Sequence, residues 1–573
     1  MSSRKHPPLV IVGLDGLDPD LVQRWTGEGL LPTLSRLMSE GVFGRLESTL
    51  NRATTSAWTC FATGVKPERH GIYYFADRVP GTYTLHLPNS THRAVPAFWN
   101  LLSQAGQRVA ICRVPMTYPA EEVNGVMVAD WLTPSPRSDG FTWPPDLARE
   151  LVRAFGSGGW GQLWEAGPTA RGAYGRGLRI IQRGVNRSFD LLRWLLRRER
   201  WDVLCGVVRE TDVVVHEFWH LMDSTHPRHD PAVAERYGDA ILRVYQQADA
   251  RLGELIAALD DDVTVLVLGD HGAGPDYKGP LYVRDVLEML GLLAWRDSHE
   301  PDEPRVRRWK SELRSAGLRF ARRVIPWQVR RRLRPLTPEK RREGMTQHLL
   351  GSIDWTHTRA FNYSIAAGTH GEVWLNVRGR EPAGIVEPGR EYEELWRYIA
   401  DKFTQAREVA SGQTAVKEVL RREDVSNGPY SHLVPDLIVR FADGLHISGL
   451  RVPLGDGTEG IAGPDSRFAD WTQMGAHRLH TAFVACGPNV RRGGAIVEAR
   501  VWDVAPTVLY LRGATIPAGL DGRVLEGIVT DEFREANPPK YGPEIDELAR
   551  DRRDYSEEDR LRVEQRLRSL GYL

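Results

Sequence analysis

Cysteine is scarce. The chain of 573 residues holds four, Cys60, Cys112, Cys205 and Cys486, far apart and with no CxxC or CxH spacing. That excludes a disulfide scaffold, a zinc finger and a dithiol redox motif, and it suits a reducing compartment. Long apolar runs are also missing, since no stretch reaches the roughly 18 residues that a membrane span needs. The opening MSSRKHPPLVIVGLDG does not read as a signal peptide, because its apolar run is short and an aspartate follows at once. These absences predict a cytoplasmic protein. Net charge is absent too, with 75 Lys or Arg against 75 Asp or Glu, but the balance is uneven. Arg305 to Arg342 carries fifteen Lys or Arg and two Glu, a balance of +13, so the rest of the chain carries −13. No internal repeat is present. What remains is an ordinary globular composition, long enough for about two to four domain-sized units.

Short β-branched runs recur along the chain, each followed by a turn and a helical pattern. They are Pro8–Gly13, Arg108–Val114, Gly125–Ala129, Asp202–Val208, Asp262–Leu268 and Ala482–Ala485. None alternates apolar with polar, as expected of strands buried on both faces of a mostly parallel sheet. Helical spacing predicts helices over Pro19–Glu28, Pro32–Glu40, Ala97–Gln104 and Ala232–Leu259. The alternation predicts a three-layer α/β/α sandwich with a mostly parallel central sheet. The reading divides the chain into a first core part (1–285), a basic helical insertion (286–350), a second core part (351–535) and a tail with an amphipathic helix (536–573). The insertion reads as a solvated helical cap, as a lid that attracts an anionic substrate, or as a contact for nucleic acid or acidic lipid.

Acidic motifs sit where predicted strands end. Asp15 closes VIVGLDG, Asp212-Val-Val-Val-His216 follows DVLCGVV, and Asp270-His271 closes VTVLVLGDHG. Ligands of open α/β sheets bind at the carboxyl ends of strands. A lone aspartate there is usually a cap or turn residue. Three of them, two with an attached histidine, supply hard and borderline ligands suited to Zn2+ or Mn2+. The DxxxH spacing puts Asp212 and His216 one turn apart on a helical face. Gly475-Ala-His477 offers a third imidazole. The hydroxyl-rich segment Thr54–Gly64 leads into an apolar helix, and a threonine at that helix end is either a cap or a nucleophile.

The ordered set resembles the alkaline phosphatase superfamily, in its type I phosphodiesterase/nucleotide pyrophosphatase branch. VGLDG, Thr54, Thr63-Gly64, Pro67, His70-Gly71-Ile72, DxxxH, GDHG, GxH and Asp503–Leu525 occur in family order. The resemblance implies a phosphoesterase with two divalent metal ions, Zn2+ or Mn2+, acting on a small phosphorylated substrate. Asp212, His216 and His477 would hold one ion, and Asp15, Asp270, His271 and the Thr54 oxygen the other. Thr54, nine residues before Thr63, would be the nucleophile of a covalent phosphothreonine. One departure stands out. Eukaryotic-type relatives carry a phosphate-contacting asparagine shortly after HGI, where this chain has Phe75, so the phosphate pocket differs. A phosphatase-type arginine is not identifiable from spacing, and no sulfatase signature surrounds Cys60.

Other enzyme readings remain. A two-metal phosphomutase or phosphomonoesterase of the same superfamily would use the same ligands. His216-Glu217-Phe218-Trp219-His220 also matches HExxH, the zinc motif of metallopeptidases. That reading leaves Asp15, Asp270, His271 and His477 without a role.

Overall fold

The computed structural model describes residues 6–156, 173–275, 279–296, 350–363, 370–442, 444–454, 457–463, 474–545, 547–548 and 551–570. Most of the expected basic insertion, residues 297–349, lies outside these.

The centre is a sheet of nine strands: β1 (Leu9–Leu14), β2 (Val42–Glu47), β3 (Val109–Cys112), β4 (Gly125–Val128), β5 (Thr142–Trp143), β6 (Val203–Val208), β7 (Thr264–Leu268), β8 (His480–Cys486) and β9 (Gly494–Arg500), in spatial order β9-β2-β8-β7-β1-β6-β3-β4-β5. The run β7-β1-β6-β3-β4 is parallel; β8 and β5 enter antiparallel. Every residue of β1 and β6 is buried, as the apolar runs require.

Alternate residues of β1 feed two cores. Val10, Val12 and Leu14 pack under α1 (Pro19–Gly27), α2 (Pro32–Glu40) and three longer helices. These are α5 (Tyr174–Arg198), α6 (Glu210–Met222) and α7 (Ala240–Ile256). Leu9 and Ile11 pack on the opposite face under α3 (Thr54–Thr63), α4 (Phe98–Gln104) and α8 (Val504–Leu511). Each such aliphatic side chain contributes about 1.5–3 kcal/mol relative to exposure. The fold is therefore the expected α/β/α sandwich. A separate four-stranded antiparallel sheet, Ala360–Phe361, His370–Leu375, Leu437–Phe441 and Val416–Arg421, packs with helices Gly279–Met289 and Arg390–Thr404 around its own core. The tail ends in α9 (Glu557–Leu570), whose Val563 and Leu567 pack on Phe75 and Trp131.

Three differences from the sequence reading have physical causes. The helix expected over Ala232–Leu259 is two, Pro231–Tyr237 and α7, because Gly238 and Asp239 disfavour helix interior and Asp239 turns to pair with Arg243. No continuous apolar run marks β2 or β9 in the sequence, and β2 is half-buried on alternate residues. α5 is a further helix, whose interspersed arginines mask in the sequence the buried stripe of Leu178, Ile181, Val185, Phe189, Leu192 and Leu195.

Candidate active site

The carboxyl ends of β1, β6 and β7 lie side by side, and the loops leaving them carry the acidic motifs. Asp15 follows β1, and its amide donates to the Val208 carbonyl at the end of β6 (3.0 Å). Asp212 and His216 occupy the first two turns of α6. Asp270 and His271 follow β7, and the chain then forms a ribbon, Gly272–Pro275 against Gly475–Arg478, that pairs Ala273 with His477. Register in this ribbon is what carries the distant His477 to the carboxyl ends of these strands. Thr54 is the first residue of α3; among the described residues no side chain caps that helix. All seven are buried.

The ligand atoms gather in two neighbouring groups, Asp212–His216–His477 and Asp15–Asp270–His271. In the first, His216 Nε2 lies 3.1 Å from Asp212 Oδ1 and 3.0 Å from His477 Nε2. In the second, His271 Nε2 lies 3.3 Å from Asp270 Oδ2 and 3.5 Å from Asp15 Oδ1. Thr54 Oγ1 is 3.4 Å from the same nitrogen. Thr55 Oγ1, by contrast, is buried and makes no hydrogen bond among the described residues.

Backbone carbonyls fix the histidine tautomers. His216 Nδ1 donates to Gly475 O (2.8 Å), His271 Nδ1 to Gly272 O (3.0 Å) and His477 Nδ1 to Arg52 O (2.5 Å). A carbonyl can only accept, so each Nδ1 carries the proton and each Nε2 turns its lone pair inward, as metal-ligating histidines do. Asp15 Oδ1 and Asp270 Oδ2 are buried and accept no hydrogen bond from the described residues. Lone pairs and carboxylates thus converge on one another, which is repulsive unless a cation joins them.

The titration behaviour says the same. Burial, then the neighbouring carboxylates Asp270 and Asp212, pushes Asp15 well above the usual carboxylate range. Burial and Asp212 push Asp270 up to about 8. Burial also works against charge on Asp212, but His216 and His477 outweigh it and hold that carboxyl low. Burial and His477 keep His271 neutral, its pKa well below the ordinary value. His216 is raised, because Asp212 overcomes burial. A divalent ion in each group would replace protons and neutralise the carboxylates; the oxygen and imidazole donors fit one.

The HExxH histidines part company. His216 belongs to the first group, whereas His220 Nε2 bonds the Tyr174 hydroxyl (3.2 Å).

A model of the type I phosphodiesterase/nucleotide pyrophosphatase family matches residues 9–451. The chain belongs to that family. It is a hydrolase of phosphoester bonds within the alkaline phosphatase superfamily, and its family is metal-dependent. The match takes in six of the seven residues above and ends before His477. Among solved structures, phosphonoacetate hydrolase from Sinorhizobium meliloti 1021 in complex with phosphonoformate is similar at 15% identity and a TM-score of 0.48, over 89% of this chain and 96% of that one. Murine ectonucleotide pyrophosphatase/phosphodiesterase 5, an inactive variant in complex with AMP, is similar at 12% identity and a TM-score of 0.44, over 89% and 95%. A search of the curated proteins finds no match. No helix among the described residues is long and apolar enough to cross a membrane.

The motifs did not reveal three supporting residues. Trp58 Nε1 donates to Asp15 Oδ2 (3.4 Å) from one turn into α3. Arg52 supplies the carbonyl that holds His477 and adopts positive φ (48°) to do so. Arg209, between β6 and α6, is buried with its guanidinium 3.9 Å from the Trp131 ring centroid. Phe75, where the resemblance to eukaryotic-type members leads to the expectation of an asparagine, packs against the same tryptophan with ring centroids 5.6 Å apart.

Proposed function

We propose that this chain hydrolyses a phosphate ester, of phosphodiester or pyrophosphate type, through a covalent phosphothreonine on Thr54 at a site of two divalent ions, most simply Zn2+. The observation that carries this reading is that the two ligand groups adjoin, with the His271 and His477 rings stacked 3.5 Å apart, and that Thr54 Oγ1 lies 3.4 Å from the nitrogen of His271. When bound, the two ions would draw charge from the hydroxyl and from the phosphoryl oxygens.

The residues of the chain do the rest. Asp212, His216 and His477 hold one side of the site, Asp15, Asp270 and His271 the other. The start of α3 places the partial positive end of a helix at Thr54, which favours negative charge on its oxygen. Thr54 Oγ1 gives up its proton to solvent and bonds to phosphorus in line with the ester oxygen, whose bond breaks; the leaving group takes a proton from solvent. Water then attacks the same phosphorus, and Thr54 leaves as a hydroxyl. Inorganic or monoesterified phosphate departs with the water oxygen.

A phosphomutase or phosphomonoesterase would begin with the same first step and differ in the acceptor. We also place the protein in the cytoplasm, on its four unbridged cysteines. Contact of the 305–342 segment with nucleic acid or acidic lipid is a further proposal, outside the described residues. The decisive experiment is a hydrolysis panel on Zn2+- or Mn2+-loaded protein, comparing nitrophenyl monoester, nitrophenyl diester, nucleotide and glycerophosphodiester. Diester or pyrophosphate turnover is expected. Turnover of the monoester alone would reassign the reaction to a phosphomonoesterase, and no turnover of any ester would refute the reading.

A further inference from the structure

Arg209 is a buried arginine whose guanidinium forms no ion pair among the described residues. It is 4% exposed. Among the described residues, no carboxylate forms an ion pair with it and its guanidinium makes no hydrogen bond. Arg93, buried to a similar degree, shows the usual arrangement: both its terminal nitrogens lie 2.8 Å from Glu121 oxygens. A guanidinium held at the rim of the sheet without a bonded carboxylate among the described residues keeps its donors for an anion that comes and goes.

Its position says which anion. Arg209 directly follows Val208, whose carbonyl receives the Asp15 amide, and precedes Asp212 by three residues. Its own carbonyl accepts the Asp212 amide at 3.1 Å. The guanidinium lies against Trp131, which leaves the carboxyl end of β4, two strands away from β6 on the same rim of the sheet as both ligand groups. It also lies within electrostatic reach of Asp15.

The tryptophan is itself fixed. Phe75 packs on it, Arg566 of α9 donates to its carbonyl (2.5 Å), and Val563 and Leu567 close the cluster. The expected asparagine position therefore holds an aromatic ring that supports Trp131, and Trp131 supports an arginine. A planar guanidinium matches two phosphoryl oxygens, and stacking on an indole fixes its plane at little entropic cost.

We propose that Arg209 is the phosphate contact of this enzyme, binding a non-bridging phosphoryl oxygen in the role that relatives give to asparagine, with Trp131 as its positioning residue. The proposal rests on the phosphoesterase reading for its substrate, but its test does not depend on turnover. Metal-loaded wild type, Arg209→Ala, Arg209→Lys and Trp131→Leu are compared by bound metal per chain and by calorimetric affinity for inorganic phosphate, with kcat/KM measured on whichever ester the wild type cleaves. Arg209→Ala should keep its metal, bind phosphate at least tenfold more weakly, and regain binding when guanidinium is added. Arg209→Lys should fall between, because it keeps the charge and loses the fork, and Trp131→Leu should weaken phosphate by a smaller factor. Unchanged phosphate affinity in Arg209→Ala overturns the proposal. So does loss of metal in that variant, since Arg209 would then be a counter-charge to Asp15. If Arg209→Ala does not fold, Arg209→Lys decides: wild-type phosphate affinity there refutes the contact. A wild type that binds phosphate through Arg209 yet cleaves no ester would refute the phosphoesterase reading and leave this inference standing.

Discussion

The imidazole of His271 lies face to face with that of His477, ring centroids 3.5 Å apart and planes 15° from parallel. The two belong to different ligand groups, and 206 positions of sequence separate them (477 − 271). Two groups sharing a stacked wall form one site, so loss of a ligand on either side should be felt by both. Asp270→Ala and His477→Ala are expected to retain about one divalent ion per chain where the wild type is expected to hold two, and to lose nearly all activity. Metal analysis after gel filtration checks this. Two ions retained in both variants would remove these residues from the ligand set.

Chelation should abolish activity and lower the melting temperature together, because the repulsion among Asp15, Asp212 and Asp270 returns once the ions leave. Zn2+ or Mn2+ should restore both. Full activity after exhaustive dialysis against EDTA contradicts a metal-dependent mechanism.

Glu217→Gln separates the phosphoesterase from the peptidase implied by HExxH. In a zincin the glutamate is the general base and its loss costs orders of magnitude. Here His220 is engaged with Tyr174, and His216 works with Asp212 and His477. The variant is expected to keep its metal and to lose less than tenfold in kcat/KM.

Gly13 is glycine because Trp58 needs the space. A β-carbon there would come 2.4 Å from the indole and 2.8 Å from Val207. Gly13→Ala must push the indole away, and that indole donates to Asp15. The substitution is expected to destabilise by about 1–3 kcal/mol through overpacking and to weaken metal binding on the Asp15 side. Denaturation and metal titration read the two effects separately. A variant as stable as wild type with unchanged metal affinity would show that the sheet yields instead.

Asp77 sets a pH dependence outside the metal groups. Burial pushes its carboxyl up to about 7, although its oxygens accept the Tyr73 and Tyr74 amides (3.0 and 2.8 Å). A folded pKa above the unfolded one means that the native state holds the extra proton. Its contribution is therefore present below about pH 4 and is lost as pH rises towards 7, with a slope of at most about 1.4 kcal/mol per unit. Asp77→Asn lacks this loss. The stability difference between variant and wild type should shift in the variant's favour from pH 5 to pH 8, as read by paired melting curves. A difference that does not vary with pH would mean that Asp77 is ionised throughout.

Much of the site was legible because strand ends and short spacings are local. Asp15, Asp270 and His271 close apolar runs, and i,i+4 spacing on α6 joins Asp212 to His216. His477 could be named only through motif order; its approach to His271 depends on a ribbon register that no local pattern encodes. Arg209 carries no motif at all, since its meaning comes from an indole 78 positions earlier in the chain (209 − 131) and from what is not paired with it. In α5 the arginines that cover the exposed side obscure a regular apolar stripe, and in β2 and β9, at one side of the sheet, partial exposure removes the continuous runs that mark the centre.

Thr54 and Thr55 test the covalent step. Both are buried in the first turn of α3, but the Thr54 hydroxyl lies beside His271 Nε2. Thr54→Ala removes no capping hydrogen bond of α3 and leaves six ligand side chains, so it should fold and bind metal. Its kcat should fall by several orders of magnitude, because water lacks the fixed in-line position of the side chain. Thr55→Ala is the control and should lose less than tenfold. In the wild type, two successive in-line displacements should retain configuration at a chiral phosphorus, and acid quench should trap phosphothreonine. Inversion at phosphorus, with Thr54→Ala still active, would mean that water attacks the substrate directly. A dead Thr55→Ala beside an active Thr54→Ala would instead move the nucleophile by one position, with the covalent mechanism intact.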